Sequence, residues 1–164
     1  SLTAAARAHV VTGAAINVHP GRHPDAAHEI LGVLEAAGAD LSRVILSHMD
    51  RSYPDDVESV VALARRCIVE YDFFGVESSA WLRGVDMPND WMRLRALRRL
   101  FEAGLGERVC ISHDICTVPR LLCNGGHGYR HILHNVVPLM RDRGWTAGEI
   151  EQLLVHTPQR LLTI

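Results

Sequence analysis

The 164-residue chain is 48% hydrophobic and 22% charged, with 17 basic and 19 acidic side chains and a net charge of -2. That balance excludes a disordered charged tail and gives no electrostatic reason to expect nucleic acid or an anionic membrane as partner. No apolar run is long enough to span a bilayer, and the first residues lack the basic-then-apolar order of a signal peptide, so a cytoplasmic protein is expected.

Taken in order, Ser1 to Thr12 reads as the tail of a helix, alanine-rich and closed by Gly13; a chain that opens in mid-helix suggests missing sequence upstream. A first strand, Ala14 to Val18, runs into His19 and a Pro-Gly-Arg-His loop. Pro24 and Gly38 bracket a helix over residues 25–37. A second strand, Arg43 to Ser47, runs into His48. Ser52 or Asp55 caps the next helix, whose apolar positions are Val57, Val60, Val61 and Leu63.

The third strand, Cys67 to Tyr71, ends at Asp72 and leads into a long loop from Phe73 to Met87. Pro88 opens a basic helix through Leu105. The fourth strand, Arg108 to His113, ends at Asp114, and a second long loop carries Gly125, Gly126 and Gly128. A helix from His131 to about Arg143 contains Pro138, where a kink or break is expected. Thr146 and Glu149 form a capping box for the last helix, with Ile150, Leu153 and Leu154 on one face.

Strands alternating with helices specify a parallel sheet. In such sheets functional groups gather at the carboxyl ends of the strands, and here each apolar run ends in His19, His48, Asp72 or Asp114. His19, His48 and Asp114 are the candidate metal ligands, since imidazole and carboxylate suit zinc, manganese or cobalt. Asp114 could also take a proton from a metal-bound water. The alternative is three polar residues that cap strand ends with no metal. Asp50 could orient His48, hydrogen-bond a neighbouring loop or begin an Asx-turn. Asp72 could support the ligands or pair with an arginine, with Glu70 on the same strand face. Phe73 and Phe74 could wall a pocket or pack in the core.

His127, His131 and His134 are not read as a metal site, because the neighbouring glycines interrupt any helix that would give their spacing meaning. Cys67, Cys110, Cys116 and Cys123 lack Cys-x-x-Cys spacing and read as buried or semi-buried free thiols. Four βα units are half of a closed eight-stranded barrel, which takes about 250 residues. An incomplete barrel, an open sheet and associating half-barrels all remain consistent with that.

Five motifs then occur in order: Ile16-Asn17-Val18-His19, Ile45 to Arg51, Glu70 to Gly75, Ile111 to Ile115, and Gly125 to Ile132. Together they resemble the carboxyl-terminal half of the phosphotriesterase family, phosphotriesterase-related branch, in the amidohydrolase superfamily. The resemblance implies an α/β fold of the (βα)8 TIM-barrel type with only the last four βα units present, residues 1–164 being strands five to eight. It implies two divalent metals, zinc first and manganese or cobalt as alternatives, with a metal-activated hydroxide that attacks an ester, lactone, amide or phosphotriester. By position His19 and His48 resemble the ligands on strands five and six. Asp114 resembles the strand-eight ligand that also handles the hydroxide proton.

The family's His-x-His pair and bridging lysine have no counterpart in this chain. Phe73 stands where paraoxon-degrading members place a histidine, which argues against efficient organophosphate turnover. The expected partner is a small-molecule substrate, with a homodimer possible. The competing expectation is a non-catalytic truncated half-barrel that folds only by self-association through its sheet edges.

Overall fold

The computed structural model describes residues 1–78 and 86–164, so the central part of the expected loop from Phe73 to Met87 lies outside the described residues. Helix α1 (Leu2–Thr12) stops at Gly13, whose φ of 73° suits a residue without a Cβ and whose N–H donates to His9 O. Next come strand β1 (Ile16–Val18), helix α2 (Ala26–Ala36) and strand β2 (Val44–Leu46). A short helix α3 (Met49–Ser52) directly follows His48, then helix α4 (Val57–Ala64) leads to strand β3 (Ile68–Tyr71). Helix α5 (Asp90–Glu102) precedes strand β4 (Val109–Ile111), and helices α6 (Val137–Asp142), α7 (Ala147–Glu151) and α8 (Thr157–Leu162) complete the chain.

The strands form one parallel sheet in the order β1-β2-β3-β4. Val18 pairs with Leu46, Leu46 with Val69, and Tyr71 with Ile111. Sequential order with a helical crossover after each strand is the connectivity of a barrel segment, as the sequence leads one to expect.

Alternation along the strands separates two faces. Val44, Leu46, Val69 and Val109 face the helices and pack with Leu31, Leu34, Val60, Leu63, Leu94 and Leu97, all fully buried. The other face carries Ile45, Ile68 and Cys110 in a smaller apolar layer with Leu161. Further along this second face the residues turn polar: Asn17, Ser47, Glu70 and Ser112 line a cavity with the candidate ligands. Ser47 Oγ lies 2.7 Å from both Asn17 Oδ1 and Glu70 Oε2.

Three local expectations are corrected. Asp56, rather than Ser52 or Asp55, caps α4 by accepting from the Ser59 N–H at 3.0 Å; Ser52 is occupied as the last residue of α3. The helix from His131 runs unbroken through Pro138. Residues Ile132–Val136 form a π turn, and Pro138 enters at the start of α6; the wider turn absorbs the donor that proline lacks. Pro158 repeats the arrangement after the π turn Gln152–His156. Cys67 and Cys110 are buried free thiols, but Cys116 and Cys123 are exposed, because the loop after β4 holds them away from the core. The capping box is present as expected, with Thr146 and Glu149 bonding each other's backbone N–H groups.

Candidate active site

His19, His48 and Asp114 follow β1, β2 and β4 and line the same cavity, one of about 640 Å³ that opens beyond the strand ends. All three also line the polar pocket on the inner sheet face. His48 and Asp114 are the non-glycine residues with positive φ among the described residues, at 63° and 44°. L-residues adopt such backbone at a cost of roughly 1–2 kcal/mol, and that strain concentrates at functional sites.

The two imidazoles face each other. His48 Nε2 lies 2.8 Å from His19 Nδ1, with the rings nearly edge to face at 76°. On its far side His48 Nδ1 lies 2.9 and 2.8 Å from the two oxygens of Asp72. Burial drives both partners of this contact away from charge. It lowers the pKa of His48, with Arg51 adding to the effect. It raises Asp72 to about 9, with Asp50, Glu70 and Asp114 adding their repulsion. The contact fixes the ring and directs Nε2 at His19. His19 is likewise lowered, by burial first and then by His48. At this distance the two rings share one hydrogen, one nitrogen donating and the other accepting.

Asp114 is aimed differently. Its Oδ2 accepts from Arg120 Nη1 at 3.1 Å, and its carbonyl accepts from the same guanidinium. Among the described residues no group of three His, Cys, Asp or Glu donors stands close enough to hold a metal ion. The site thus brings its two imidazoles together and places Asp114 on the same cavity wall.

The roles open for Asp50 and Asp72 are resolved by contacts. Asp72, not Asp50, orients His48. Asp50 is wholly buried and accepts from Arg93 Nε at 2.7 Å and from the Phe73 N–H at 3.0 Å, so it pins the start of the loop after β3. Burial raises its pKa against the opposing pull of Arg93. Phe73 lines the cavity with its ring 5.1 Å from His48, while Phe74 is core. Both readings of the aromatic pair hold, one for each residue.

A second polar centre lies behind this wall. Arg93, fully buried, donates to Asp50, to Asp90 Oδ1 at 2.9 Å and to Val76 O at 2.6 Å. Asp90 also accepts from Gly75 N–H and lies 2.6 Å from His131 Nε2. Burial opposes charge on Asp90, but His131, Gly75 and Arg93 outweigh it and its pKa is lowered. His113, His127 and His131 stand with ring centroids 5.6 to 6.3 Å apart. A Cβ on Gly75, whose φ is +89°, would run into the His127 ring. The glycine-rich loop is thereby locked to the loop after β3.

The fold and the site describe part of a barrel with a histidine-carboxylate centre at its strand ends. The model of the phosphotriesterase family matches residues 1–162, and the chain belongs to that family. It is 45% identical over 167 residues to an N-acetyltaurine hydrolase of Dictyostelium discoideum, covering 100% of this chain and 45% of that protein. A resiniferatoxin-binding protein from Rhodobacter sphaeroides superposes with a TM-score of 0.91 at 34% identity, over 99% of this chain and 45% of the other. The phosphotriesterase homology protein of Escherichia coli, solved with phosphate in its active site, superposes at 0.86 with 30% identity, over 99% and 52%. The chain thus spans about half the length of the relatives it matches.

Proposed function

We propose that residues 1–164 are the carboxyl-terminal half of a divalent-metal-dependent hydrolase barrel. The observation that carries this is the convergence of His19 Nδ1 and His48 Nε2 at 2.8 Å, backed by buried Asp72 and beside Asp114. The donor set fits a divalent cation. Burial disfavours charge on both rings, one nitrogen of each is turned to the same point, and the carboxylates Glu70, Asp72 and Asp114 crowd the same pocket. Mutual repulsion and burial that push Asp72 up to about 9 are what a cation there would relieve.

His19 and His48 would hold the metal, with Asp114 as a further ligand once released from Arg120. Bound there, the metal would supply Lewis acidity and a water acidified toward neutrality. The chain's own residues do the rest. Asp72 fixes the tautomer and plane of His48. Asp114, at the cavity wall, is placed to take a proton, and Arg120 bonded to its Oδ2 holds the carboxylate in position. Phe73 screens the His48 ring from water on one side.

Amide hydrolysis is the reaction to test first, since the relative at 45% identity is named for the hydrolysis of N-acetyltaurine. Metal content per chain, by plasma mass spectrometry, should read about one zinc or manganese and should vanish in His19→Ala. A folded protein that takes up no zinc or manganese, or a His19→Ala variant that keeps it, would overturn the reading. One observation favours a second reading, in which half-barrels self-associate: β1 and β4 each pair with one neighbour in the sheet. Sedimentation decides that reading, since a folded monomer ends it.

A further inference from the structure

The walls of the site carry opposite charge on its two sides. Between the strand ends the lining carboxylates are Glu70, Asp72 and Asp114. Beyond the strand ends the cavity is lined by Arg22, Arg51 and Arg120, with Asp114 as the carboxylate among its lining residues. Arg120 is already bonded to Asp114.

Arg51 is in a different situation. It sits in α3, three residues after His48, and is only 7% exposed. Its Nη2 donates to Pro20 O at 3.0 Å, and its Nη1 lies 3.4 Å from His19 Nε2. Neither partner is an anion, and its Nε is buried with no hydrogen-bond partner. Among the described residues no ion pair reaches Arg51 or Arg22. A buried guanidinium with no anion in contact is costly, and natural cores rarely keep one. Arg22 stands near enough to repel it, while Asp72, Asp50 and Asp114 attract it only from beyond ion-pair distance. Such a group, facing a cavity beside reacting groups, is built to be completed by a ligand anion.

We propose that Arg51, assisted by Arg22, is the subsite that reads an anionic tail on the substrate. The enzyme's substrates are then small acyl amides or esters that carry a sulfonate or carboxylate, rather than neutral lactones or triesters. The proposal rests on the hydrolase reading above and adds the recognition step to it. One imidazole ring, that of His19, separates the guanidinium from the nitrogen facing His48. The anion and the scissile carbonyl therefore belong to one small molecule with a short linker. Arginine suits this task, since its planar fork can give two parallel hydrogen bonds to a sulfonate or carboxylate. A neutral analogue would leave the buried guanidinium unpaired, which is the strong form of discrimination.

The test uses the intact metal-loaded protein with N-acetyltaurine, N-acetyl-β-alanine and the neutral N-acetylethanolamine. Arg51→Gln should lower kcat/KM for the two anionic amides, chiefly through KM, by a factor about 100-fold or more larger than any loss on the neutral amide. Arg51→Lys should recover part of the loss, and Arg22→Gln should give a smaller one. Equal losses on anionic and neutral amides would overturn the subsite while leaving the hydrolase standing. Ethanesulfonate binding, measured by calorimetry, supplies an arm that needs no turnover and should weaken at least about tenfold in Arg51→Gln. If no amide is cleaved but ethanesulfonate binding depends on Arg51, the hydrolase reading fails and the anion subsite survives. Binding that ignores Arg51, or no binding to the intact protein, overturns the subsite.

Discussion

Replacing Arg93 by methionine removes the largest fully buried side chain among the described residues, a charged one. The side chain is fully buried and satisfies two carboxylates and a carbonyl: Asp50 at 2.7 Å, Asp90 at 2.9 Å and Val76 O at 2.6 Å. Removing one member of such a buried network typically costs about 3–5 kcal/mol, because the remaining charges stay buried and unpaired. Methionine fills the arginine stem with little cavity, so packing loss adds little. Asp90 keeps His131 and the Gly75 N–H, whereas Asp50 keeps only the Phe73 N–H, so the deficit falls on Asp50. Burial already raises Asp50, and losing Arg93 removes the leading opposing pull, so the folded variant holds it protonated over a wider range. An acid with a raised folded pKa destabilises increasingly as pH rises, because the folded state then binds the extra proton. Each pH unit inside that window is worth about 1.4 kcal/mol. Urea unfolding at pH 5 and pH 8 should therefore show the larger Arg93→Met deficit at pH 8. Adding Asp50→Asn, which keeps an acceptor for Phe73 and removes the stranded charge, should recover more than half of it. A single-variant cost below about 1 kcal/mol, or a double variant no better than the single, would refute the reasoning.

Other outcomes follow from single contacts. Asp72→Ala should weaken zinc binding by about 10- to 100-fold, read by chelator competition, because it removes the acceptor that fixes His48. His113 is held down to about 4 from 6.5 by burial and by His127 and His131, and its Nε2 accepts the Ile132 N–H at 3.0 Å. The unfolded chain protonates first, so this contribution is present above pH 6.5 and is lost as pH falls toward about 4. The protection of the Ile132 amide against hydrogen exchange, relative to its intrinsic rate at each pH, should fall across that window and lose this dependence in His113→Asn. Thr146→Ala should cost about 1 kcal/mol in urea unfolding, because it removes one half of the capping box.

The strand ends were legible because each apolar run is short, β-rich and closed by a side chain that cannot stay in a core. His19, His48, Asp72 and Asp114 are found that way, and four βα units in order specify the parallel sheet. Contacts between distant segments were not legible. Asp50 and Arg93 are 43 residues apart and Asp90 and His131 are 41 apart, so no periodicity links them. A signal existed at Arg93, an arginine on the apolar stripe of α5 with Leu94 and Leu97, where a solvated charge is out of place. Arg51 gave a weaker sign, standing three residues after a candidate ligand in a stretch too short to read as helix. The π turns before Pro138 and Pro158 leave no local pattern, since proline forbids a bond without dictating how the neighbours close the gap.

The quality of support across the site follows the sheet. His48, after an interior strand, is buried, strained into positive φ and bonded to Asp72. His19 and Asp114 follow β1 and β4, the outer strands in the sheet order, and lean on arginines instead. A strand paired on one side is held by half the ladder hydrogen bonds of an interior one, so its terminal side chain is the less precisely placed. In a closed barrel both edges gain a neighbour. Whatever pairs with β1 and β4 therefore also sets where His19 and Asp114 point. Stability and metal affinity should rise together when those edges are paired, because the same hydrogen bonds that close the sheet fix the outer donors of the site.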